Sequence, residues 1–288
     1  CIRAMRFSVD TKDPHAVAGH VLAIYRAGFP EGDPAFVPRV FEWAVDCFAG
    51  RYANYQAIDA PYHDLEHTMQ GTVCLADLMR GWLEAGEAPV LTQPVFEKAL
   101  VAMLLHDTGY LKTREDAQGT GAKYTPIHED RSAGFAARLL TEKQYPLLFV
   151  RSVQQMIHCT SMHTDPRQLP FSSAVERRAG CALGTADLLG QMAADDYVDK
   201  LPVLFEEYEE SARYNPTRGA GSTHFASPED LLRQTPAFWE RYVWPRLNRQ
   251  LQGVHRFLNR PCPNGPNPYL DGVEANLNRV RRRLAESG

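Results

Sequence analysis

The sequence predicts an all-α fold. Apolar residues recur at helical spacing from one end of the 288-residue chain to the other, whereas the alternating pattern of a β-strand is scarce. Two helix-start signals support this class: Ser173 and Glu176 have the spacing of a capping box, and Thr125 precedes a proline at the first position of a predicted helix. The periodicity predicts helices at residues 13–28, 36–49, 63–84, 94–107, 126–141, 146–159, 173–191, 195–213, 229–247, 250–258 and 271–285.

These helices are predicted to form a single domain over residues 1–288. Its core is expected at residues 60–191, which hold the chemically unusual segments, and residues 192–288 are expected to pack on that core as a helical extension. Three stretches are predicted to be loops because glycine, proline and polar residues interrupt the periodicity. These loops are residues 109–124, 214–228 and the proline-rich 261–269.

Composition and charge argue against several classes of partner. The net charge of -4 gives no support for a nucleic-acid partner, and 44% hydrophobic with 23% charged residues is ordinary for a globular protein. No apolar stretch is long enough to span a bilayer, so we expect no membrane partner. Six cysteines are scattered along the chain without a C-x-x-C pair, which predicts reduced thiols and a cytoplasmic location.

The first unusual segment carries His63 and His67. They are four residues apart, so on the predicted helix both imidazoles would project from one face. That face continues through Gly71, Cys74 and Leu78, which makes it the inward face. The pair is either functional or consists of two ordinary core histidines.

The second segment is the adjacent pair His106 and Asp107. It lies at the end of the predicted helix 94–107, whose apolar stripe leads to Asp107. A buried aspartate is costly unless it is paired or binds a metal. Gly109 is expected to end the helix, which would place the pair at the mouth of a loop. The alternative is a helix-terminal aspartate that a neighbour caps.

A third acid, Asp187, stands alone inside an apolar helical run. It shares a face with Gly180, Leu183 and Gly190, and small residues on that face let another group approach the backbone closely. An acid in such surroundings needs a cation or hydrogen-bond donors.

Two further histidines are candidate ligands. His128 shares a face with Ser132 and Phe135, which predicts that it points inward, and His158 ends the predicted helix 146–159. If these two histidines bind a second ion, Asp107 is the natural bridge between the two ions.

The four primary candidates are two imidazoles and two carboxylates from three helices: His67, His106, Asp107 and Asp187. This set suits zinc, manganese, iron, cobalt or nickel, with magnesium a further candidate at a second site. A closed structural zinc site is not expected, because the set contains no cysteine. Open coordination positions favour catalysis, since a metal lowers the pKa of a bound water and polarises a phosphoryl oxygen.

The ordered series of these four residues resembles the HD-domain superfamily of metal-dependent phosphohydrolases, whose signature is H…HD…D on a bundle of helices. The resemblance covers residues 60–191 and implies an HD-domain or phosphodiesterase-like helical bundle. His128 and His158 are similar in placement to the two extra histidines of binuclear HD proteins.

Residues 62–67 are further similar to the Y-H-N-x-x-H stretch of class I cyclic nucleotide phosphodiesterases. That similarity implies that His63 is the general acid and His67 a metal ligand. Asp64 departs from the pattern, standing where those enzymes have asparagine. Tyr110 stands where many HD hydrolases have the lysine of H-D-x-G-K, with Lys112 two places further on.

The preferred hypothesis is hydrolysis of a small phosphomonoester or phosphodiester, such as a nucleotide or cyclic nucleotide. His63 and Asp107 are the candidate catalytic residues, and Asp64 or Glu66 is expected to orient the His63 imidazole. Loop 109–124 is a candidate lid. Its two lysines, Lys112 and Lys123, either contact phosphate or are solvated at the surface.

Two rival hypotheses remain. A di-iron oxygenase related to myo-inositol oxygenase would use the same ligand set, and a non-catalytic HD signalling or binding module would not need the set at all. His63 favours hydrolysis over the oxygenase, because a proton donor one helical turn from a ligand suits the departure of an alkoxide.

Overall fold

The computed structural model describes residues 9–216 and 225–286, and this part of the chain is helical. It contains no β-strand, only an isolated bridge between Tyr55 and Thr113, so the all-α prediction is confirmed. The helices are α1 (Pro14–Gly28), α2 (Phe36–Phe48), α3 (Leu65–Ala85), α4 (Gln93–Leu105), α5 (His128–Glu142), α6 (Leu147–Ile157), α7 (Ala174–Met192), α8 (Tyr197–Tyr214), α9 (Pro228–Phe238), α10 (Trp244–Arg249) and α11 (Pro268–Glu286). Tight 3₁₀ turns cover Thr108–Tyr110, Gly121–Ile127 and Val254–Leu258, and a π-helical turn at Trp239–Val243 joins α9 to α10.

Helices α3 and α7 form the centre of the molecule. Helices α1 and α4 pack on α3, while α4, α6 and α11 pack on α7. The two central helices touch backbone to backbone: a Cβ on Gly190 would lie 2.9 Å from the Cα of Gly71. The predicted close approach at the small residues around Asp187 is therefore confirmed.

Of the two predicted helix starts, one is confirmed and the other is wrong. The Ser173 hydroxyl accepts a hydrogen bond from the Glu176 N–H and caps α7 as predicted. The prediction for Thr125 is wrong, because this residue lies inside a 3₁₀ turn and its hydroxyl donates to the Ala122 carbonyl. Helix α5 begins at His128, without a side-chain cap.

Helix α3 begins later than predicted. The Asp64 carboxylate accepts the His67 N–H at 2.8 Å and caps the helix, so the first helical residue is Leu65 rather than His63. The prediction that His63 and His67 project from one helical face is therefore wrong. His63 lies in the segment that leads into the helix, whereas Gly71, Cys74 and Leu78 are buried as predicted.

The lysines of segment 109–124 are both engaged in hydrogen bonds with neighbouring groups. Lys112 is buried, and its ammonium contacts the Asp59 carboxylate at 2.7 Å and the Gly119 carbonyl at 2.6 Å. Lys123 contacts Asp116 at 2.5 Å. The expectation of a solvated Lys112 is wrong. Its contact with Asp59 joins the segment to the preceding part of the chain, and the contacts with Gly119 and Asp116 lie within the segment.

The remaining expectations concern chain segments and thiols. Of the predicted loop 214–228, residues 217–224 lie outside the described part of the chain, as does Cys1. The five described cysteines are free thiols. None of the described helices combines the length and the apolar character needed to cross a bilayer.

Asp77 of α3 connects three helices. Its carboxylate accepts hydrogen bonds from His20 of α1 at 3.1 Å and Tyr269 of α11 at 2.9 Å, and it pairs with Arg80 at 2.9 Å. Burial alone would raise the pKa of Asp77. The hydrogen bond from His20 and the charge of Arg80 more than offset burial, so the pKa is lowered.

Because these partners favour the ionised carboxylate, we expect Asp77→Asn to lower the free energy of unfolding by about 1–3 kcal/mol at pH 7. This is the usual cost of removing one partner from a buried hydrogen bond. A carboxyl with a depressed folded pKa stabilises above its unfolded pKa of about 4, and this contribution is lost as pH falls through the folded pKa. The difference from wild type should therefore shrink as pH falls below about 5. Urea unfolding over this pH range measures the difference, with exposed Asp130→Asn as control. Equal stability of Asp77→Asn and wild type at pH 7 would contradict the prediction.

Candidate metal centre

Four side chains from α3, α7 and the end of α4 converge at the centre of the bundle. The Nε2 atom of His67 lies 3.3 Å from both Asp107 Oδ2 and Asp187 Oδ1. The Nε2 atom of His106 lies 3.2 Å from Asp107 Oδ2 and 3.4 Å from Asp187 Oδ1. The structure therefore brings together all four primary candidates from the sequence.

These close approaches are not all explained by hydrogen bonding. His106 Nε2 and Asp107 Oδ2 are buried and have no hydrogen-bond partner in the described structure. The other ring nitrogen of His106, Nδ1, donates to the Met103 carbonyl at 2.7 Å, so a neutral ring presents the Nε2 lone pair to the carboxylates. Neighbouring ligands bound to one ion at about 2.0–2.1 Å lie about 2.8–3.4 Å apart, the shorter value in octahedral and the longer in tetrahedral geometry. The donor set therefore fits a divalent metal ion.

The electrostatics of the cluster also favour a cation. Burial would raise the pKa values of Asp107 and Asp187, but the neighbouring imidazoles more than offset it and lower both. Burial would lower the pKa of His106, and the two carboxylates raise it instead. Without a metal, a proton on an imidazole balances the buried negative charge. A divalent ion would replace that proton, since a ligating imidazole must be neutral.

The turn after Asp107 brings α5 next to the cluster. Gly109 does not have the left-handed conformation of a helix-ending glycine, which corrects its predicted role. Instead, it leaves room for backbone: a Cβ there would lie 2.0 Å from the His128 carbonyl oxygen. This contact places His128 Nε2 3.9 Å from Asp107 Oδ1.

The two carboxylate oxygens of Asp107 therefore face different imidazoles. Oδ2 faces His67 and His106, and Oδ1 faces His128, whose Nδ1 donates to the Thr125 carbonyl at 2.7 Å. This arrangement is compatible with a bridging carboxylate, and a second ion stays a prediction.

His158 is the candidate that the structure does not bring to the cluster. It caps α6, and its Nδ1 lies 3.7 Å from the carboxylate of exposed Asp130. Neither His158 nor His128 belongs to the two groups of converging ligand atoms found in the described residues, but of the two only His128 lies near a carboxylate of the cluster. The geometry therefore gives no support to His158 as a ligand of the same centre.

His63 is held beside the metal centre by a residue that sequence reasoning missed. Its Nδ1 lies 2.6 Å from Glu207 Oε2, and Glu207 Oε1 accepts the backbone N–H groups of Tyr62 and His63 at 2.6 and 3.2 Å. Burial alone would lower the pKa of His63, but the charge and hydrogen bond of Glu207 raise it to about 9. The two predicted partners are occupied elsewhere, because Asp64 caps α3 and Glu66 pairs with Lys200.

His63 also lies close to the ligands. One of its ring nitrogens lies within 4.8 Å of ligand atoms of His67 and Asp107, and the His63 and His67 rings are 5.4 Å apart. His63 can therefore act on a molecule bound at the metal centre.

A sequence signal for Glu207 exists but is weak. The residue stands in the run E-E-Y-E-E, which is typical of a solvated helix face. It lies three residues after Leu204 and four before Ser211, and all three are buried on the same side of α8. Its position relative to Leu204 distinguishes it from the exposed acids of the run.

Comparison with protein families supplies a match over most of the chain. A family model described as Npun_R2479-like matches residues 37–259. The chain belongs to the Npun_R2479-like family. The matched region contains the whole cluster and Glu207. No curated protein matches the chain. The family description names neither an HD domain nor an activity, so the similarity to HD phosphohydrolases depends on the ligand series alone.

We expect Asp107→Ala in this Npun_R2479-like protein to lose bound metal, because the substitution removes a carboxylate that faces three imidazoles. Metal analysis after loading with zinc or manganese measures the loss. Asp130→Ala is the matched control, since it removes an exposed carboxylate outside the cluster. Full metal content in purified, folded Asp107→Ala protein would refute the site.

A separate prediction concerns the number of ions. His128 faces Asp107 Oδ1, whereas His158 lies beside Asp130, so we expect His128→Ala to lower the metal content from about two ions to about one. His158→Ala should leave the metal content unchanged. Wild-type protein that saturates with a single ion under all metal supplements would show that neither histidine binds metal.

Proposed function

We propose that this Npun_R2479-like protein is a metal-dependent hydrolase of small phosphate esters. The observation that carries the proposal is the His63–Glu207 pair, which lies directly beside a donor set suited to a divalent metal. A metal bound there would lower the pKa of a coordinated water and polarise a phosphoryl oxygen.

The protein's own contribution to metal binding is a rigid set of donors. His67, His106, Asp107 and Asp187 would hold the ion, and their nitrogen and oxygen atoms suit zinc, manganese, iron, cobalt or nickel. Four protein ligands leave room for water and substrate around an ion that accepts six.

His63 is suited to protonate the leaving oxygen of the ester. Its Nδ1 is occupied by Glu207, so the proton available to a substrate is the one on Nε2. Glu207 raises the pKa of His63 through its charge and hydrogen bond, which favours an imidazole that carries this proton. A positioned general acid of this kind contributes about 10²–10⁴-fold to a rate.

The similarity of residues 62–67 to class I cyclic nucleotide phosphodiesterases supports the same roles for His63 and His67. The rival oxygenase would use the same ligands, but it has no evident use for a proton donor held by a buried carboxylate. Two assays on one preparation separate these functions. A panel of phosphate monoesters and diesters tests hydrolysis with zinc- or manganese-loaded protein, and oxygen uptake by anaerobically prepared iron-loaded protein tests oxygenation. Oxygen uptake without ester hydrolysis would overturn the proposal.

We expect His63→Ala to keep its fold and metal but to lose turnover by about 10²–10⁴-fold. The loss should be smaller on a nitrophenyl ester than on an alkyl ester, because a nitrophenolate leaves without protonation. Rates of mutant and wild type on both esters measure this difference. An equal loss on both would mean that His63 binds metal or positions substrate instead of donating a proton.

Glu207→Gln should reproduce this pattern in weaker form, since the amide keeps the size of the side chain but lacks the charge that favours protonated His63. Combining it with His63→Ala should add little further loss, because the two residues act as a unit. The exposed Glu209→Gln on the same helix is the control. Additive losses in the double variant would show that Glu207 acts independently of His63.

A further inference from the structure

Tyr110 stacks on two imidazoles of the site. Its ring centroid is 4.6 Å from that of His63 with 16° between the planes, and 4.8 Å from that of His128 with 21° between the planes. The side chain is fully buried. A single aromatic ring therefore contacts both the candidate proton donor and the candidate ligand that faces Asp107.

The backbone of Tyr110 is fixed on two sides. Its N–H donates to the Asp107 carbonyl at 3.1 Å, which ties it to the turn that follows a metal-ligand residue. A Cβ on Gly121 would lie 2.3 Å from the Tyr110 carbonyl oxygen, so the neighbouring chain packs directly on this peptide. The backbone that carries the buried ring is thus held on two sides.

Each imidazole has one hydrogen bond at Nδ1, from His63 to Glu207 and from His128 to the Thr125 carbonyl. One hydrogen bond directs a ring nitrogen but leaves the ring plane free to tilt. Contact with the face of Tyr110 removes that freedom, because tilting either imidazole would break the parallel stack.

We propose that Tyr110 is a positioning residue that sets the ring planes of His63 and His128 together. The role of His63 as a proton donor rests on the proposed function. The orientation of the two imidazoles by Tyr110 is a property of the folded protein and does not require that function. Tyr110→Phe keeps the aromatic ring and should preserve the orientation of both imidazoles. Tyr110→Met places a flexible apolar side chain without a ring there and should abolish this orientation.

The first test is kinetic. Both variants should keep the ion that the four primary ligands hold, because those residues are unchanged. Tyr110→Met should lose about 10²-fold in kcat with little change in KM, as expected for a misplaced catalytic group. The loss should be larger on alkyl than on nitrophenyl esters, and Tyr110→Phe should restore activity. Equal activity of Tyr110→Met and wild type, or equal losses in both variants, would overturn the proposal.

The second test does not depend on activity. In zinc-loaded wild-type protein, NMR should show nuclear Overhauser contacts from the Tyr110 ring to the ring protons of both His63 and His128. Tyr110→Phe should retain contacts to both imidazoles, and a folded Tyr110→Met should show changed imidazole shifts. Absence of the wild-type contacts would overturn the positioning role even if Tyr110→Met fails to fold. Their presence in a protein that hydrolyses no ester would refute the proposed function and leave the positioning role supported.

Discussion

The backbone contact between α3 and α7 is the constraint on which the rest of the site depends. At Gly71 and Gly190 the two backbones are so close that a Cβ on Gly190 would lie 2.9 Å from the Gly71 Cα. His67 precedes Gly71 by about one helical turn, and Asp187 precedes Gly190 by about the same distance. The contact therefore sets the 3.3 Å separation of their side-chain atoms, since a larger residue at Gly190 would meet the backbone of α3 and push the helices apart.

The imidazoles at this crossing share one mode of orientation. The Nδ1 atoms of His63, His106 and His128 each contact an acceptor oxygen, supplied by Glu207, Met103 and Thr125 respectively. Two of these acceptors are carbonyls three residues earlier in the chain, so the local backbone orients the ring. The third is a buried carboxylate from a distant helix. Only the carboxylate adds a negative charge beside the ring, and this charge favours the protonated form of His63.

Sequence patterns predicted those features that depend on neighbouring residues. Helical periodicity identified the fold class and the buried faces, and the spacing of His67, His106, Asp107 and Asp187 identified a cluster that the fold brings together. The incorrect or missed predictions concern positions where a helix cap or a contact with a distant helix determines the local structure. Asp64 capped α3 and thereby excluded His63 from the helix, and Glu207 reaches His63 across 144 residues. Periodicity along one helix contains no information about which distant helix will face it.

The pairing of Glu207 with His63 also shows which parts of the chain the site needs. All four primary ligands precede residue 193, whereas Glu207 belongs to α8, in the C-terminal part of the chain. A fragment that ends with α7 would contain every primary candidate ligand but not the carboxylate that raises the pKa of His63. The candidate metal ligands and the partner of the candidate proton donor therefore lie in different parts of the chain, and truncation after α7 would separate them.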